Sequence, residues 1–297
     1  MWDRNQGIIV TNQPAGRLYV VATPIGNLGD ISSRALHTLR TCALIAAEDT
    51  RHTGGLLKHY GIQTPMVSLH DYNELKRSPE LVSRMQSGIT VALVSDAGTP
   101  GISDPGFDLV RACAAAGIEI VAIPGPCAAV AALSIAALPT DRFCFEGFLP
   151  ARPAARRARL DEMVLEPRTL VFYESPHRVR DMLEDCARIL GPERPATVAR
   201  EITKLHETLY RDSLSQLALR AAAEADLARG EIVLVVAGAP RRAGELGDAS
   251  GGLDRVLKPL LMELPLKQAA RLAAQIASVR DNEAYKRALE LKREAGS

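Results

Sequence analysis

Through the first half of the chain, short runs of almost unbroken apolar residues alternate with longer stretches of helical periodicity. Strands are predicted at Arg17–Pro24 (RLYVVATP), Ala43–Asp49 (ALIAAED), Met66–His70 (MVSLH), Ile89–Asp96 (ITVALVSD) and Glu119–Pro124 (EIVAIP). Helical patterns fill the gaps, among them Asp30–Arg40, Glu74–Gln86 and Pro105–Ala116. Strands that are apolar on both faces and separated by helices predict a parallel sheet covered on both sides. Such a sheet gathers its binding loops at the carboxyl ends of its strands.

The pattern changes after Pro139–Asp141, where LPTD interrupts an Ala-rich helical stretch. Strands are predicted at Arg142–Pro150, Arg168–Ser175, Ala196–Glu201, Glu207–Ser213 and Glu231–Gly238. The third and fourth of these are separated by only five residues, which predicts an antiparallel hairpin. The expected fold class is α/β with two lobes: a parallel N-terminal sheet, then a second domain with a mixed sheet. The predicted organisation is an N-terminal segment 1–16, a first α/β domain 17–139, a second 140–240, a Gly- and Ala-rich linker 241–252 and a helical region 253–297 broken at Pro265 and near Asp281.

Composition narrows the classes. A chain of 297 residues exceeds one average domain, and 47% hydrophobic with 24% charged residues suits large cores. The 36 Lys and Arg nearly cancel the 35 Asp and Glu, so net charge exerts no global pull toward nucleic acid or membrane. The five cysteines are scattered, with no Cys-x-x-Cys pair, which argues for reduced thiols and against a disulfide framework or a metal site. The N-terminal stretch has no long apolar run after a basic start, and the longest apolar stretch, Cys127–Leu138, is too short to span a bilayer. The expectation is a soluble, cytoplasmic protein without a membrane partner.

Five segments place loop residues at or just beyond strand ends in the first domain: Ala22–Asp30, Ala47–Gly54, Ser68–Glu74, Ser95–Gly106 and Ile123–Ala129. In a parallel sheet these loops share one edge and can line one cleft. The loop SDAGTPGISDPG looks like a phosphate loop, yet it carries Asp96 and Asp104, and no Lys or Arg follows until Arg111. No loop fits a phosphate-binding signature, which relies on helix-start amides and often a Lys. Carboxylates suit a ribose hydroxyl or a cation better.

The segments ATPIGNLGDIS, AAEDTRHTGGLL, SLHDYNE, VSDAGTPGISDPG, IPGPCA, FCFEGFLP and FYESPHR follow one another in this order between Ala22 and Arg178. Together they closely resemble the small-subunit ribosomal RNA methyltransferase I family of bacteria, a branch of the tetrapyrrole methylase superfamily, the class III S-adenosylmethionine (SAM) methyltransferases. AREITKLHET and the tail LPLKQAARLAAQIASV continue the resemblance. It implies a bilobal fold with SAM folded into the cleft, usually in a homodimer. It also implies 2′-O-methylation of a cytidine ribose in the decoding region of 16S rRNA, the RNA being met within the 30S subunit.

By position, the resemblance implicates Pro24 in the first loop, Asp96, Ala97, Gly98 and Ile102 in the second, and Ala128 and Ala129 in PGPCAA as cofactor contacts. In the second domain it implicates Phe148 and Leu149, and the AGAP turn with Ala237, Gly238 and Ala239 closing over the adenine. Small Ala residues and Pro stand where tetrapyrrole-type relatives carry hydroxyl-bearing ones, which makes a tetrapyrrole a poorer substrate.

A sulfonium methyl is already activated, so transfer mainly needs the ribose oxygen placed at about 3 Å with aligned orbitals. A positioned base helps a weak nucleophile. Candidates are Glu48, His70 with Asp71, and Glu201 beside Lys204. Each has a plainer reading: Glu48 and Asp49 as helix caps, His70 as a structural residue, Lys204 as a phosphate or substrate anchor. RNA needs cations, and ARPAARRARL supplies Arg152, Arg156, Arg157 and Arg159, of which Arg152, Arg156 and Arg159 fall on one helix face. Arg51, His52, His177 and Arg178 could extend that surface, and a solvated face is the plainer reading for the Arg-rich run. Aromatic residues make up only 4% of the chain, so shape and phosphate recognition fits better than stacking. Two other functions remain open: a SAM methyltransferase acting on a tetrapyrrole or a modified protein residue, and a non-catalytic RNA-binding assembly factor.

Overall fold

The computed structural model describes residues 16–224, 227, 229–240, 249–277 and 279–294. The expected N-terminal segment, apart from Gly16, and residues 241–248 of the expected linker lie outside the described residues. Strands β1 (Arg17–Val21), β2 (Leu44–Ala47), β3 (Met66–Ser68), β4 (Val91–Val94) and β5 (Glu119–Ile123) form one sheet in the order β3-β2-β4-β1-β5. Every pairing in it is parallel. Helices α1 (Ser33–Thr41), α2 (Thr50–His59), α3 (Glu74–Gln86) and α4 (Phe107–Ala115) supply the crossovers.

The alternation of side chains explains why these strands are apolar throughout. In β2, Leu44 and Ala46 enter one core while Ile45 and Ala47 enter the other, and β4 divides Val91 and Leu93 from Ala92 and Val94 in the same way. Each face is roofed by helices, so every position of the inner strands β2 and β4 is buried. Burying each large aliphatic side chain is worth about 1.5–3 kcal/mol.

The second sheet comprises β6 (Phe143–Phe148), β7 (Thr169–Glu174), β8 (Pro195–Arg200), β9 (Thr208–Ser213) and β10 (Ile232–Val236), in the order β6-β7-β10-β8-β9. It is mixed: β6 and β7 are parallel, and the other pairings, including the β8–β9 hairpin, are antiparallel. Leu170, Phe172 and Leu234 face a core shared with α7 (Val179–Leu190) and α8 (Leu214–Ala223), and Leu160 of α6 (Pro153–Asp161) joins it. On the opposite face Val171, Val233 and Val235 meet α5 (Ala128–Ile135) through Ala129, Ala132 and Leu133. Because α5 leaves the end of β5, its small residues weld the two sheets together, with Ile25 and Ile202 in the same cluster. The expected boundary at Pro139–Asp141 falls in the segment between α5 and β6, and residues through Gly238 form one compact unit.

A second unit begins at Ala239. Its helices α9 (Ala249–Glu263), α10 (Leu266–Ala277) and α11 (Asp281–Glu294) break at Pro265 and Asp281, as the pattern predicts. Leu257, Ala273 and Ala288 pack in its core, and Arg287 of α11 makes a bidentate pair of 2.6 Å with Asp254 of α9. Among the described residues, no helix is long and apolar enough to cross a membrane.

Candidate functional site

Strands β1 and β4 are neighbours, so the loops that leave them run side by side. Thr23 and Gly98 exchange backbone hydrogen bonds of 2.8 and 3.1 Å, and the Thr23 hydroxyl donates to the Ser95 carbonyl. Gly98 has a φ of 86°, a conformation that a side chain resists. Farther along, the buried Glu74 carboxylate accepts from the amides of Gly106 (3.1 Å) and Leu109 (2.9 Å), closing the start of α4. The Thr99 hydroxyl donates to the Pro126 carbonyl at 3.0 Å, which ties in the loop after β5. SDAGTPGISDPG is therefore a strap fastened at both ends and at its middle.

A cavity of about 320 Å³ lies against this strap. One wall comes from the first sheet's loops: Ala97, Gly98, Ile102, Asp104 and Ala128. The other comes from Phe148, Tyr173, Glu174, Ile202 and Val233 of the second sheet. β10 runs antiparallel to β7 and β8, so its first residues meet the last residues of those strands, and the wall is continuous. The Tyr173 hydroxyl accepts from the Ala129 amide at 3.0 Å, and its ring meets Phe145 and Phe148 edge to face. A small, mostly apolar cleft with a few placed polar groups is the usual form of a small-molecule site.

Its charged groups are acidic. Burial pushes the Asp104 carboxyl up to about 6; a hydrogen bond from the Ser95 side chain opposes the rise, and the charges of Glu48, Asp96 and Asp71 reinforce it. Burial also raises Glu174, against the pull of the Ser175 amide and Arg178. Glu174 Oε1 accepts from the Ser175 amide at 2.8 Å, while Oε2 lies 3.1 Å from the Arg178 guanidinium without hydrogen-bond alignment. Among the described residues, no group of three or more His, Cys, Asp or Glu is arranged to hold a metal ion.

A second cavity, of about 500 Å³, adjoins the same two loops and is bounded by Pro24, Gly26, Arg51, His52, Ser95 and Asp96. Successive residues divide between the cavities: Pro24 and Asp96 face the second, Ile25 and Ala97 the first. Ser95 and Asp96 of the second cavity lie close enough to Asp104 of the first to influence its carboxyl.

Of the cofactor contacts expected from the sequence, Ala97, Gly98, Ile102, Ala128 and Phe148 line the first cavity, and Pro24 and Asp96 the second. Ala129 is buried behind the wall, with its amide on Tyr173. Leu149 is buried too and offers only its carbonyl, to Arg178. The AGAP turn lies elsewhere. Ala237, Gly238 and Ala239 follow the last residue of β10, whereas its first residues line the cavity, a strand length of about 15 Å away. There the Ala237 amide donates to Pro195, and Gly238 packs so tightly on Pro167 that an added Cβ would fall 2.0 Å from its carbonyl oxygen. The antiparallel direction of β10, which a local pattern does not reveal, is the reason.

The candidate bases are occupied by structural duties. Glu48 Oε2 accepts from the Asp96 amide at 3.2 Å, and Asp96 Oδ1 accepts from the Asp49 amide at 3.0 Å, a reciprocal clasp between the loops after β2 and β4. Burial raises the Glu48 carboxyl, the Asp96 amide opposes this, and neighbouring carboxylates add to the rise. Asn73 Nδ2 donates to His70 Nε2 at 3.2 Å, which assigns the proton of a neutral ring to Nδ1, a buried atom without a hydrogen-bond partner. Lys204 Nζ bridges Glu201 (3.0 Å) and Glu231 (3.2 Å); burial disfavours its charge, but the two carboxylates prevail and raise it, so it holds its proton. Burial likewise opposes ionisation of Glu201, and the Glu231 amide with Lys204 overcomes it. The Lys204 stem lies on Gly26, where a Cβ would sit 2.4 Å from its Cγ, which joins the β1 loop to the second sheet.

The Arg-rich run departs furthest from expectation. Arg156 is only 3% exposed, and its guanidinium binds Asp185 of α7 at 2.8 Å. Arg159 pairs with Glu146 at 2.6 Å and with Glu162, and Arg157 lies 3.9 Å from Asp185. Arg178 is spent on Glu174 and the Leu149 carbonyl. Arg152 remains exposed, ahead of α6, and Arg51 is exposed at the second cavity with Asp49 as its partner. The expected stripe of Arg152, Arg156 and Arg159 is thus not a free cationic face, because acids on β6, α6 and α7 reach it. Sequence reasoning singled out Asp104 as a strap carboxylate but passed over Tyr173, Glu174 and Ile202 as cavity residues, although all three lie in segments quoted above.

Residues 17–218 match the family of tetrapyrrole (corrin/porphyrin) methylases, and residues 247–292 match the RsmI C-terminal HTH domain. The ribosomal RNA small subunit methyltransferase I of Pseudomonas aeruginosa is 54% identical over 276 residues, covering 93% of this chain and 98% of that protein. Its namesake from Escherichia coli O157:H7 is 52% identical, covering 93% and 95%. Among solved structures, the methyltransferase CobJ superposes with a TM-score of 0.58 at 22% identity, covering 77% of this chain and 97% of that one. A uroporphyrin-III C-methyltransferase from Thermus thermophilus complexed with S-adenosylhomocysteine gives 0.52 at 16%, covering 75% and 97%. Both likenesses show the fold.

Proposed function

The chain belongs to the ribosomal RNA small subunit methyltransferase I family within the tetrapyrrole methylases, and from that premise we propose that it transfers a methyl group from SAM to the ribose 2′-oxygen of a cytidine in the decoding region of 16S rRNA. The observation that carries the reading is the cleft between the two sheets, apolar with carboxylates at its edge and adjoined by a second cavity. The first cavity suits SAM chemically. Phe148, Tyr173, Ile202 and Val233 offer flat apolar surface for a purine, and Glu174 and Asp104 offer carboxylates to hydroxyls and to a cation. When bound, SAM supplies a methyl carbon activated on a sulfonium.

The protein's own part is placement and removal of one proton. As the ribose oxygen bonds to the methyl carbon and the carbon–sulfur bond breaks, the hydroxyl proton must leave. Asp104 lines the first cavity, near Ser95 and Asp96 of the second, with a carboxyl that ionises at about 6, close to the value a base needs at neutral pH. Lys204, held protonated by two carboxylates, orients the Glu201–Lys204 turn and takes no proton. A tetrapyrrole acceptor gains no support from the corrin and porphyrin enzymes, whose likeness lies below 25% identity. The family reading further makes the substrate rRNA within the 30S subunit and the enzyme a cytoplasmic homodimer, which light scattering tests.

The deciding experiment incubates the protein with methyl-labelled SAM and 30S subunits that lack the modification. The expected product carries the label on one cytidine ribose, which then resists alkaline cleavage. Label on a base, or none on RNA, overturns the reading.

A further inference from the structure

We propose that the second cavity, beside the start of α2, is the acceptor-nucleotide subsite, where Arg51 and His52 receive a backbone phosphate and Asp96 faces the ribose. This rests on the methyl-transfer reading above. Three observations carry it. The two cavities share the loops after β1 and β4 residue by residue, Pro24 and Asp96 facing one and Ile25 and Ala97 the other, so groups bound in the two lie side by side. A methyl donor and its acceptor need that relation.

The lining also matches a nucleotide. Arg51 and His52 lie in the first turn of α2, where the helix dipole favours an anion; the Arg51 amide is itself capped by Asp49 Oδ1 at 2.8 Å, so the side chains are what remain for a phosphate. The Arg51 side chain is 90% exposed, and its pairing with Asp49 leaves it aimed by a bidentate contact rather than buried. Asp96 uses Oδ1 for the Asp49 amide, and among the described residues its second oxygen has no protein partner. A carboxylate oxygen of that kind accepts from a ribose hydroxyl. Finally, the cavity has room to spare on the α2 side: a Cβ on Gly55, which lines it, would meet nothing within 4 Å.

The test uses the full chain with 30S subunits lacking the modification, and reads KM for the subunits beside SAM affinity by calorimetry. For the double variant Arg51→Ala/His52→Ala, KM should rise about tenfold or more, and the slope of log KM against log salt should fall by about 1 for the lost guanidinium. SAM affinity should stay within about twofold of the wild type, a change small beside a tenfold effect. Gly55→Glu places a carboxylate in open space and should raise KM as much without touching the fold. If the wild type methylates subunits and neither the double variant nor Gly55→Glu changes KM, the subsite is wrong. Weakened SAM binding in both, with KM unchanged, would assign the second cavity to the donor instead and equally overturn the proposal. A wild type that methylates no RNA removes the functional reading itself, a failure distinct from the other two.

Discussion

The strap Ser95–Gly106 and helix α6 are each dense in the side chains that bind ligands, carboxylates in one and guanidinium groups in the other, and the fold treats them oppositely. The strap's polar needs are met by its backbone, through Thr23, Glu74 and Pro126, so Asp104 can turn to a cavity. Helix α6 meets its own backbone needs internally, and its arginines instead find Asp185 of α7, Glu146 of β6 and Glu162 at its own C-terminal end. A buried charged side chain already satisfied by a neighbour, as Arg156 is by Asp185, is lost to a ligand, whereas an exposed one such as Arg51 keeps a face for it. Position at the carboxyl end of a parallel sheet gives that availability, whereas position on a helix packed among acidic partners removes it.

The largest effect that would break this contrast concerns Asp104. Asp104→Asn should lower the single-turnover methylation rate by about 10²- to 10⁴-fold, the range for loss of a general base, with SAM affinity measured separately and little changed. The raised carboxyl fixes the sign of the pH dependence: protonated below about 6, it cannot accept a proton there. The wild-type rate should therefore climb with pH up to about 6 and level off above it, and the variant should show no such limb. A variant that keeps the limb would put the proton elsewhere.

Next in size is Arg156→Ala. It strands the buried Asp185 carboxylate and should cost about 3–5 kcal/mol in denaturant unfolding. A variant of undiminished stability with weakened RNA engagement would reverse the comparison and return α6 to the RNA-binding role expected from its sequence. Glu74→Gln should cost about 1.5–3 kcal/mol, since an amide cannot accept as the carboxylate does from Gly106 and Leu109. Faster hydrogen exchange at those two amides, ahead of the rest of α4, would show that the strap's fastening is what loosened. The smallest effect is Arg159→Ala, whose partners are partly exposed; thermal melting should register less than about 1 kcal/mol.

Legibility followed the range of the interaction. The β-strands, the helix breaks at Pro265 and Asp281 and the β8–β9 hairpin all follow from neighbours in the chain, and each stands where its pattern puts it. The strap was legible as a loop that approaches a ligand because Gly and Pro act on their own backbone. The AGAP turn lies at the far end of β10 from the first cavity because strand direction depends on which strands β10 joins. His70 and Lys204 looked reactive by residue type, and only Asn73, Glu201 and Glu231 reveal how they are held.

By itself, then, the sequence determined the alternation of apolar runs, the five strand-end loops and the motifs that carry the family. Those depend on side-chain period and local backbone preference, which act over a few residues. The tertiary structure alone decided that Pro24 and Ile25, or Asp96 and Ala97, face different cavities, and that Arg156 belongs to Asp185 rather than to solvent. Such assignments rest on contacts between distant segments, where burial raises a carboxyl such as Asp104 and a neighbouring acid claims an arginine.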